Sequence, residues 1–143
     1  DAVTKPLNVY GQTKYEGELA VRENVSKFFI VRIAWVFGVN GNNFIKTMLK
    51  LGKERGAVKV VNDQIGSPTY TADLAVLLCD MIESEKYGNY HATNEGLCSW
   101  YDFACEIFKC AGMDVDVTPV AATEFPTKAK RPYNSRLNKD KLT

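Results

Sequence analysis

The sequence is poor in the residues from which metal centres and nucleophilic triads are commonly built. It contains one histidine, His91, and its four cysteines include no C-x-x-C pair. Without a second histidine or a cysteine cluster, we expect neither a zinc site nor a serine-type triad, and no metal site is predicted. We expect the cysteines to be buried free thiols in a protein of the reducing cytoplasm: Cys79, Cys98, Cys105 and Cys110.

Long apolar runs and an excess of one charge are also missing. The formal net charge is +1, which gives no case for a nucleic-acid or membrane-binding surface. No apolar run approaches the roughly 20 residues of a membrane-spanning helix, and the first residues do not have the pattern expected of a signal peptide. A composition of 45% hydrophobic and 24% charged residues is that of an ordinary globular domain with a core.

Helical and strand patterns alternate along the chain, which predicts the α/β class. Asn8, Thr71 and Ser99 are expected N-caps, and Gly56 and Gly112 follow the ends of two helices. The patterns predict helices at residues 9–24, 43–55, 72–84 and 100–111, and strands at residues 28–37, 57–61, 88–93 and 115–120.

The apolar run at residues 28–37, F-F-I-V-R-I-A-W-V-F, does not alternate. It therefore predicts one strand covered on both faces, as in a parallel sheet. Residues 121–135 form a long polar segment, here called the basic loop, which is expected to be functional or disordered. Residues 1–7 are expected to be a loop and residues 138–143 the first turn of a helix, so we expect a piece of a longer chain.

Tyr10 and Lys14 are four residues apart on the first predicted helix, so that both side chains lie on one face. An ammonium group beside a phenol favours the phenolate, and such a phenol can exchange a proton with a carbonyl or hydroxyl oxygen. The lysine could also bind the sugar hydroxyls of a dinucleotide. Because the chain has 7 tyrosines, the spacing also arises by chance, and an ordinary solvated helix face is the alternative.

Four motifs follow one another from near the start of the chain to near its end. They are Y-G-Q-T-K-x-x-G-E from Tyr10, A-W-V-F-G from Ala34, D-Q-x-G-S-P-T from Asp63 and R-P-x-N-S-R-L from Arg131. With these motifs in this order, the chain resembles the C-terminal half of an extended short-chain dehydrogenase/reductase. Within that family it is most similar to the reductases that act on dTDP-4-dehydrorhamnose.

The resemblance implies an α/β fold made of the end of a Rossmann-type domain and the smaller substrate-binding domain. Residues 1–38 would supply the last helix and strand of the dinucleotide-binding domain, with the Tyr-x-x-x-Lys pair. Residues 39–143 would belong mostly to the substrate-binding domain.

The resemblance also implies a chemistry and its cofactor. Hydride would pass from NADPH or NADH to the 4-keto carbon of a dTDP-linked deoxyhexose, the small-molecule partner. Tyr10 would give a proton to the developing alkoxide, and Lys14 would bind the nicotinamide ribose. Both residues are thus expected to be catalytic and cofactor-binding. The upstream Ser or Thr that the family uses precedes these residues, since Thr4 is too close to Tyr10.

Three further residues are implied to face the substrate. Trp35 would pack on the sugar, Gln64 would contact the nucleotide sugar, and Arg131 would bind the diphosphate, for which arginine is suited. The alternatives are a core tryptophan, a tight turn and a solvated basic loop that includes Lys128 and Lys130. His91 is expected to be a packed structural residue. Trp100, Phe103, Ile107 and Phe108 are expected to form the apolar face of a helix rather than a binding site.

Other functions remain open on these residues. The protein could be an epimerase, dehydratase or reductase of the same family that acts on another nucleotide sugar. It could also be a non-catalytic regulatory subunit of the same fold, like the relative that accompanies methionine adenosyltransferase. No G-x-x-G-x-x-G loop follows a strand in these residues, so we expect the isolated chain to be inactive. A homodimer is an open expectation.

Overall fold

The computed structural model describes residues 4–125 and 127–142. The expected loops at residues 1–7 and 121–135 and the expected turn at 138–143 thus lie partly outside the described residues. The helices are α1 (Val9–Asn24), α2 (Phe44–Arg55), α3 (Thr71–Ile82) and α4 (Trp100–Cys110). The strands are β1 (Phe29–Arg32), β2 (Val36–Phe37), β3 (Ala57–Val61), β4 (Ile65–Gly66), β5 (Thr69–Tyr70), β6 (Gly88–His91), β7 (Cys98–Ser99) and β8 (Asp116–Val120). Short 3₁₀ turns span Ala122–Glu124 and Asp140–Leu142.

The strands of the described residues pair two by two. β1 pairs with β6, β2 with β5 and β3 with β8, all in parallel, whereas β4 and β7 are antiparallel. Parallel pairs joined through helices confirm the predicted α/β class. Because β6 pairs with β1, the two segments of the predicted domain division share a sheet, and that division stays a prediction.

The helix ends follow the local capping chemistry of the sequence. The Asn8 side chain accepts a hydrogen bond from Gly11 N, and Gly56 ends α2 with a φ of 67°. Ser99 begins α4 with a capping box. The prediction that Thr71 caps α3 is wrong, because the helix begins at that residue without a side-chain cap.

The main core lies between α2, α4, β3 and β8. Its buried side chains come from α2, β3 and α4, and partly buried side chains of α2, α4 and β8 pack around them. Phe108 and Ile107 of α4 belong to this core, as their helical spacing predicts. The buried set is Met48, Val60, Ala104, Ile107 and Phe108. This packing fixes the end of β3 and the start of α4, and both border a cavity.

The prediction of one continuous strand over residues 28–37 is wrong. The chain leaves β1 after Arg32 and resumes as β2 at Val36, and the two strands pair with different partners. Trp35, between them, has a φ of 50°, which a β-strand cannot accommodate. The residues of β1 and Phe37 of β2 are half-buried, whereas Val36 is exposed. Apolarity alone does not reveal a turn of the backbone.

The cysteines are free thiols, as predicted, but not fully buried ones. Cys79 and Cys110 are exposed on helices, and Cys98 and Cys105 are half-buried. Partial burial raises the pKa of the Cys98 thiol, and the nearby carboxylate of Asp102 adds to this. In the described part of the chain, no helix is long and apolar enough to cross a bilayer.

Candidate active site and adjoining cavity

Helix α1 presents Tyr10 and Lys14 on its solvent side. Tyr10 is 71% exposed, and Lys14 Nζ lies 5.7 Å from the centroid of its ring. The two side chains therefore share a face, as their spacing predicts. None of the residues of α1 is buried, so the pair is accessible to a ligand or to another part of a protein.

An ion pair anchors α1 to β1. Arg32 Nε and Nη2 each donate to one carboxylate oxygen of Glu18, both at 2.7 Å. These hydrogen bonds lower the pKa of Glu18; its partial burial opposes this, and the charges of Arg32 and Arg22 add to the lowering. The same hydrogen bonds raise the pKa of Arg32. A bidentate pair of this kind fixes orientation as well as distance, so it sets the direction in which α1 holds Tyr10.

The amide of Asn8 joins α1 to the basic loop. Its Oδ1 accepts from Gly11 N at 2.8 Å, which caps the helix, and its Nδ2 donates to the carbonyl of Lys130 at 3.0 Å. One side chain thus holds both the first turn of the helix that carries Tyr10 and the segment that carries Arg131.

Trp35 lies in a tight enclosure at the end of β1. Its indole stacks on that of Trp100, with 3.6 Å between ring centroids and 16° between planes. Its backbone carbonyl accepts from Thr69 N at 3.1 Å, and the preceding carbonyl, of Ala34, accepts from Thr69 Oγ1 at 2.5 Å. A left-handed conformation at a residue other than glycine costs about 1–3 kcal/mol and is often found at functional sites.

The loop after β3 fixes the basic loop from the other side. Both carboxylate oxygens of Asp63 accept from Ala122 N, at 3.0 and 3.1 Å. Ile65 N donates to the carbonyl of Tyr133, and Ser135 N donates to the carbonyl of Ile65, both at 2.8 Å. The D-Q-x-G-S-P-T motif therefore holds the basic loop in place by both backbone and side-chain hydrogen bonds.

A cavity of about 610 Å³ lies between the main core and the basic loop. Side chains of α2, β3 and α4 form an apolar part of its wall: Phe44, Met48, Val60, Val61 and Trp100. Gln64 and Lys59 also line it, and the basic loop supplies the remaining lining residues, among them Lys130, Arg131 and Tyr133. Aromatic rings beside three cationic side chains suit a ligand with a planar ring and phosphate groups.

The comparison with known sequence families decides the family of the chain. A sequence model described as the RmlD substrate binding domain matches residues 1–143. The chain belongs to this family. Its α/β class and its resemblance to extended short-chain reductases are thereby confirmed.

Two of the similar curated proteins are named as reductases of dTDP-linked sugars. A dTDP-4-dehydrorhamnose reductase of Shigella flexneri is 43% identical over 150 residues, which cover 97% of this chain and 50% of the relative. A dTDP-4-keto-6-deoxy-D-glucose reductase of Streptomyces niveus is 40% identical over 141 residues, 97% of this chain and 49% of the relative. The chain thus spans about half the length of the curated relatives that it matches.

A solved structure gives the same picture for the fold. The dTDP-4-dehydrorhamnose reductase of Bacillus anthracis, crystallised in complex with NADP, superposes with a TM-score of 0.96 and 50% sequence identity. The match covers 99% of this chain and 50% of that one.

The predicted site residues fall into two groups in the structure. Gln64 and Arg131 both line the cavity. Tyr10 and Lys14 lie outside its lining, on α1, and are joined to it through Asn8. Trp35 is not among the described residues that line the cavity, but it stacks on Trp100, which is.

Trp100 lines the candidate cavity, which the sequence interpretation did not predict. Its helical spacing with Phe103 assigned it to the apolar face of α4, and the structure places it in the cavity wall as well. A signal was present in the sequence, because Trp100 directly follows the N-cap Ser99. A residue at the first position of a helix lies at the end of the packed face, where a ligand can reach it.

The described residues include no group of three or more carboxylate, histidine or cysteine side chains that could hold a metal ion. Tyr10 and Lys14 fit the ribose of a nicotinamide cofactor better than they fit a metal ion. Lys14 and Tyr10 are exposed on one face, so an ammonium and a phenol can reach the same sugar-sized group. His91 has a structural partner, since its Nδ1 lies 2.9 Å from the carbonyl of Asn138.

Proposed function

We propose that the protein to which this chain belongs reduces dTDP-4-dehydro-L-rhamnose to dTDP-L-rhamnose. The observation that carries the proposal is the Asn8 amide, which joins the helix of Tyr10 to the basic loop over the cavity. A proton donor and a pocket suited to a nucleotide diphosphate are thus held together by one side chain. The 43% identity to a reductase of this name over 97% of the chain supports the substrate.

The residues present would perform the proton transfer. Bound NADPH, which the NADP complex of the Bacillus anthracis relative supports over NADH, would supply hydride to carbon 4 of the keto sugar. Tyr10 gives its phenolic proton to the oxygen on that carbon as the C=O double bond becomes a single bond. The Lys14 ammonium stabilises the tyrosinate that is left and donates to ribose hydroxyls. A proton from solvent then restores the phenol.

The cavity would hold the nucleotide end of the substrate. The Arg131 guanidinium can bind the diphosphate in bidentate fashion, and the amide of Gln64 can donate or accept at the nucleoside. The ring of Phe44 in the cavity wall is suited to the thymine base. Trp35, at the end of β1 where open α/β sheets place ligands, would border the sugar. Residues 1–38 would then serve the cofactor side and residues 39–143 mostly the substrate side.

The test is oxidation of NADPH by the full-length protein with dTDP-4-dehydrorhamnose. We expect Tyr10→Phe to lower kcat by about 10²- to 10⁴-fold, with little change in KM, because it removes only the proton donor. Tyr15→Phe is the matched control, since Tyr15 is on the same helix and is not part of the proposed site. Equal activity of Tyr10→Phe and the control would exclude Tyr10 as the donor.

The same assay separates the competing functions. If the protein reduces dTDP-4-keto-6-deoxy-D-glucose faster than dTDP-4-dehydrorhamnose, the activity named for the Streptomyces niveus relative is favoured. An absence of oxidation with every dTDP-keto sugar, together with tight binding of a partner enzyme, would favour a regulatory subunit. The exposure of Tyr10 and Lys14 on one face supports an enzyme.

The proposal includes a cytoplasmic enzyme that forms a homodimer. Four free thiols support the reducing compartment. Exposed apolar side chains on α3, such as Val76 at 64% and Ile82 at 72%, offer surface that another copy or another segment would cover. Sedimentation equilibrium of the full-length protein measures the oligomeric state directly.

A further inference from the structure

The indole of Trp35 is enclosed on both of its faces. Trp100 covers one face at a centroid distance of 3.6 Å. A Cβ added to Gly66 would lie 2.7 Å from Cε2, 2.9 Å from Cζ2 and 3.1 Å from Nε1 of Trp35. These nearly equal distances place that carbon above the plane of the ring. Since no atom of Trp100 is among its nearest neighbours, Gly66 lies against the face opposite Trp100.

The two sides of this enclosure differ in what they can restrain. Gly66 and Thr69 belong to the loop that holds the backbone of Trp35, and Thr69 is only 3% exposed. Backbone hydrogen bonds fix φ and ψ of Trp35 but leave its χ angles free. Without Trp100, the side of the indole that faces α4 would have no wall, and the side chain could turn away from Gly66.

Trp100 is itself held firmly. Ser99, which precedes it, is 1% exposed. Its hydroxyl accepts from Asp102 N at 3.0 Å, and its own N–H donates to Asp102 Oδ2 at 2.9 Å. The Trp100 ring also contacts that of Phe44, with 4.7 Å between centroids. The capping fixes the backbone at Trp100, and its ring packs against those of Phe44 and Phe103 in the cavity wall.

We propose that Trp100 is a positioning residue that fixes the side-chain conformation of Trp35 and so couples the filling of the cavity to the placement of the sugar. The inference rests on the proposed function, in which Trp35 borders the sugar of a nucleotide-linked substrate. Trp100 touches both the cavity and Trp35, so a nucleotide bound in the cavity stabilises the same stacked pair that borders the reacting end of the substrate.

The decisive experiment is a double-mutant cycle in the full-length protein. We expect Trp100→Leu to lower kcat/KM by about 10- to 100-fold through misplacement of the sugar, and Trp100→Phe, which keeps an aromatic face, to recover most of the loss. In a Trp35→Phe background, Trp100→Leu should cost little more, because both changes remove the same stacked pair. Multiplicative effects of the two changes would overturn the proposal and assign Trp100 a direct ligand contact instead.

Phe103→Leu is the matched control. Phe103 lies on the same helix and its ring contacts those of Phe44 and Trp100, but it has no ring contact with Trp35 in the described residues. Its effect on kcat/KM should be small and should multiply with that of Trp35→Phe. If Trp100→Leu does not fold, Trp100→Met, which is closer in length and still lacks an aromatic face, takes its place.

Spectroscopy tests whether Trp100 fixes the side chain of Trp35 and does not require an activity assay. The fluorescence of Trp35 is taken as the difference from the same protein that also carries Trp35→Phe. By this difference, acrylamide should quench Trp35 more strongly in Trp100→Leu than in Phe103→Leu. The near-ultraviolet circular dichroism of Trp35, taken as the difference from the Trp35→Phe/Trp100→Leu protein, should collapse. A rigid Trp35 signal in Trp100→Leu would overturn the proposal. An inactive wild type with the expected spectra would instead contradict the proposed function and leave the positioning role supported.

Discussion

At the scale of single residues, the indole of Trp35 occupies the space that a side chain at residue 66 would need. An added Cβ at residue 66 would lie 2.7 Å from Trp35 Cε2, closer than real carbon atoms approach. We expect Gly66→Ala to destabilise the protein by about 1–3 kcal/mol, because either the ring or the backbone must move. Urea unfolding followed by far-ultraviolet circular dichroism measures this change.

Gly17→Ala is the control for that substitution. Gly17 lies inside α1, and a Cβ there would have no neighbour within 4 Å. We expect Gly17→Ala to stabilise the protein by about 0.5–1 kcal/mol, since alanine loses less conformational entropy in a helix. Equal stabilities of wild type and Gly66→Ala would show that Trp35 is not confined as described.

At the scale of elements, the Glu18–Arg32 pair holds α1 on β1 and makes that attachment depend on pH. The folded-state pKa of Glu18 is lowered from its ordinary 4.5, first by the hydrogen bonds from Arg32. The stabilisation is therefore fully present above the ordinary pKa and is lost as the pH falls through the lower folded value. We expect the free energy of unfolding of wild type to be about 1 kcal/mol larger than that of Glu18→Gln at neutral pH. The difference is modest because the pair is only partly buried.

Unfolding free energies measured across this pH range provide the check. The difference between wild type and Glu18→Gln should shrink towards zero in acid. Glu54→Gln is the control, because its pair with Lys50 is 3.9 Å long and both side chains are more than half exposed. A constant difference at all pH values would mean that Glu18 contributes through packing rather than charge.

Most helices could be predicted from the sequence because their ends are set by local chemistry. Asn8 and Ser99 accept hydrogen bonds from the first turns that follow them, and Gly56 supplies the left-handed residue that ends α2. The break between β1 and β2 could not be predicted, because it depends on the hydrogen bonds from Thr69 to a segment far away in sequence. Hydrophobic patterning carries no information about such a tether.

The candidate site was predictable only in part for the same reason. Gln64 and Arg131 were found from motif resemblance, and the structure brings both to one cavity. The position of Trp100 in the cavity wall was not predicted. Periodicity indicates which face of a helix is buried, but it does not indicate whether that face packs on a core or borders a cavity. Whether Tyr10 acts as the proton donor stays a prediction.

At the scale of the whole molecule, the cavity makes stability depend on ligand. A nucleotide that binds only the folded protein raises the free energy of unfolding by about 2.7 kcal/mol when its free concentration is 100 times its Kd. We expect dTDP to raise the Tm of the full-length protein, and Arg131→Ala to abolish most of this shift by removing the bidentate phosphate contact. Thermal unfolding with and without dTDP measures it.

Lys128→Ala is the charge-matched control for Arg131→Ala. Lys128 carries the same charge on the same basic loop but is not among the residues that line the cavity. The dTDP shift should persist in Lys128→Ala. A shift lost equally in both variants would point to a diffuse electrostatic attraction in place of a defined phosphate site.

The hydrogen bond between Asn8 and Lys130 joins residues 122 positions apart in the chain. Closing so long a segment is entropically costly until the elements between its ends have paired, so this contact belongs to the last steps of folding. The intervening parallel pairs, β3 with β8 and β1 with β6, are themselves non-local. A molecule caught before that closure has its strands and helices in place, yet holds neither an aligned Tyr10 helix nor a covered cavity.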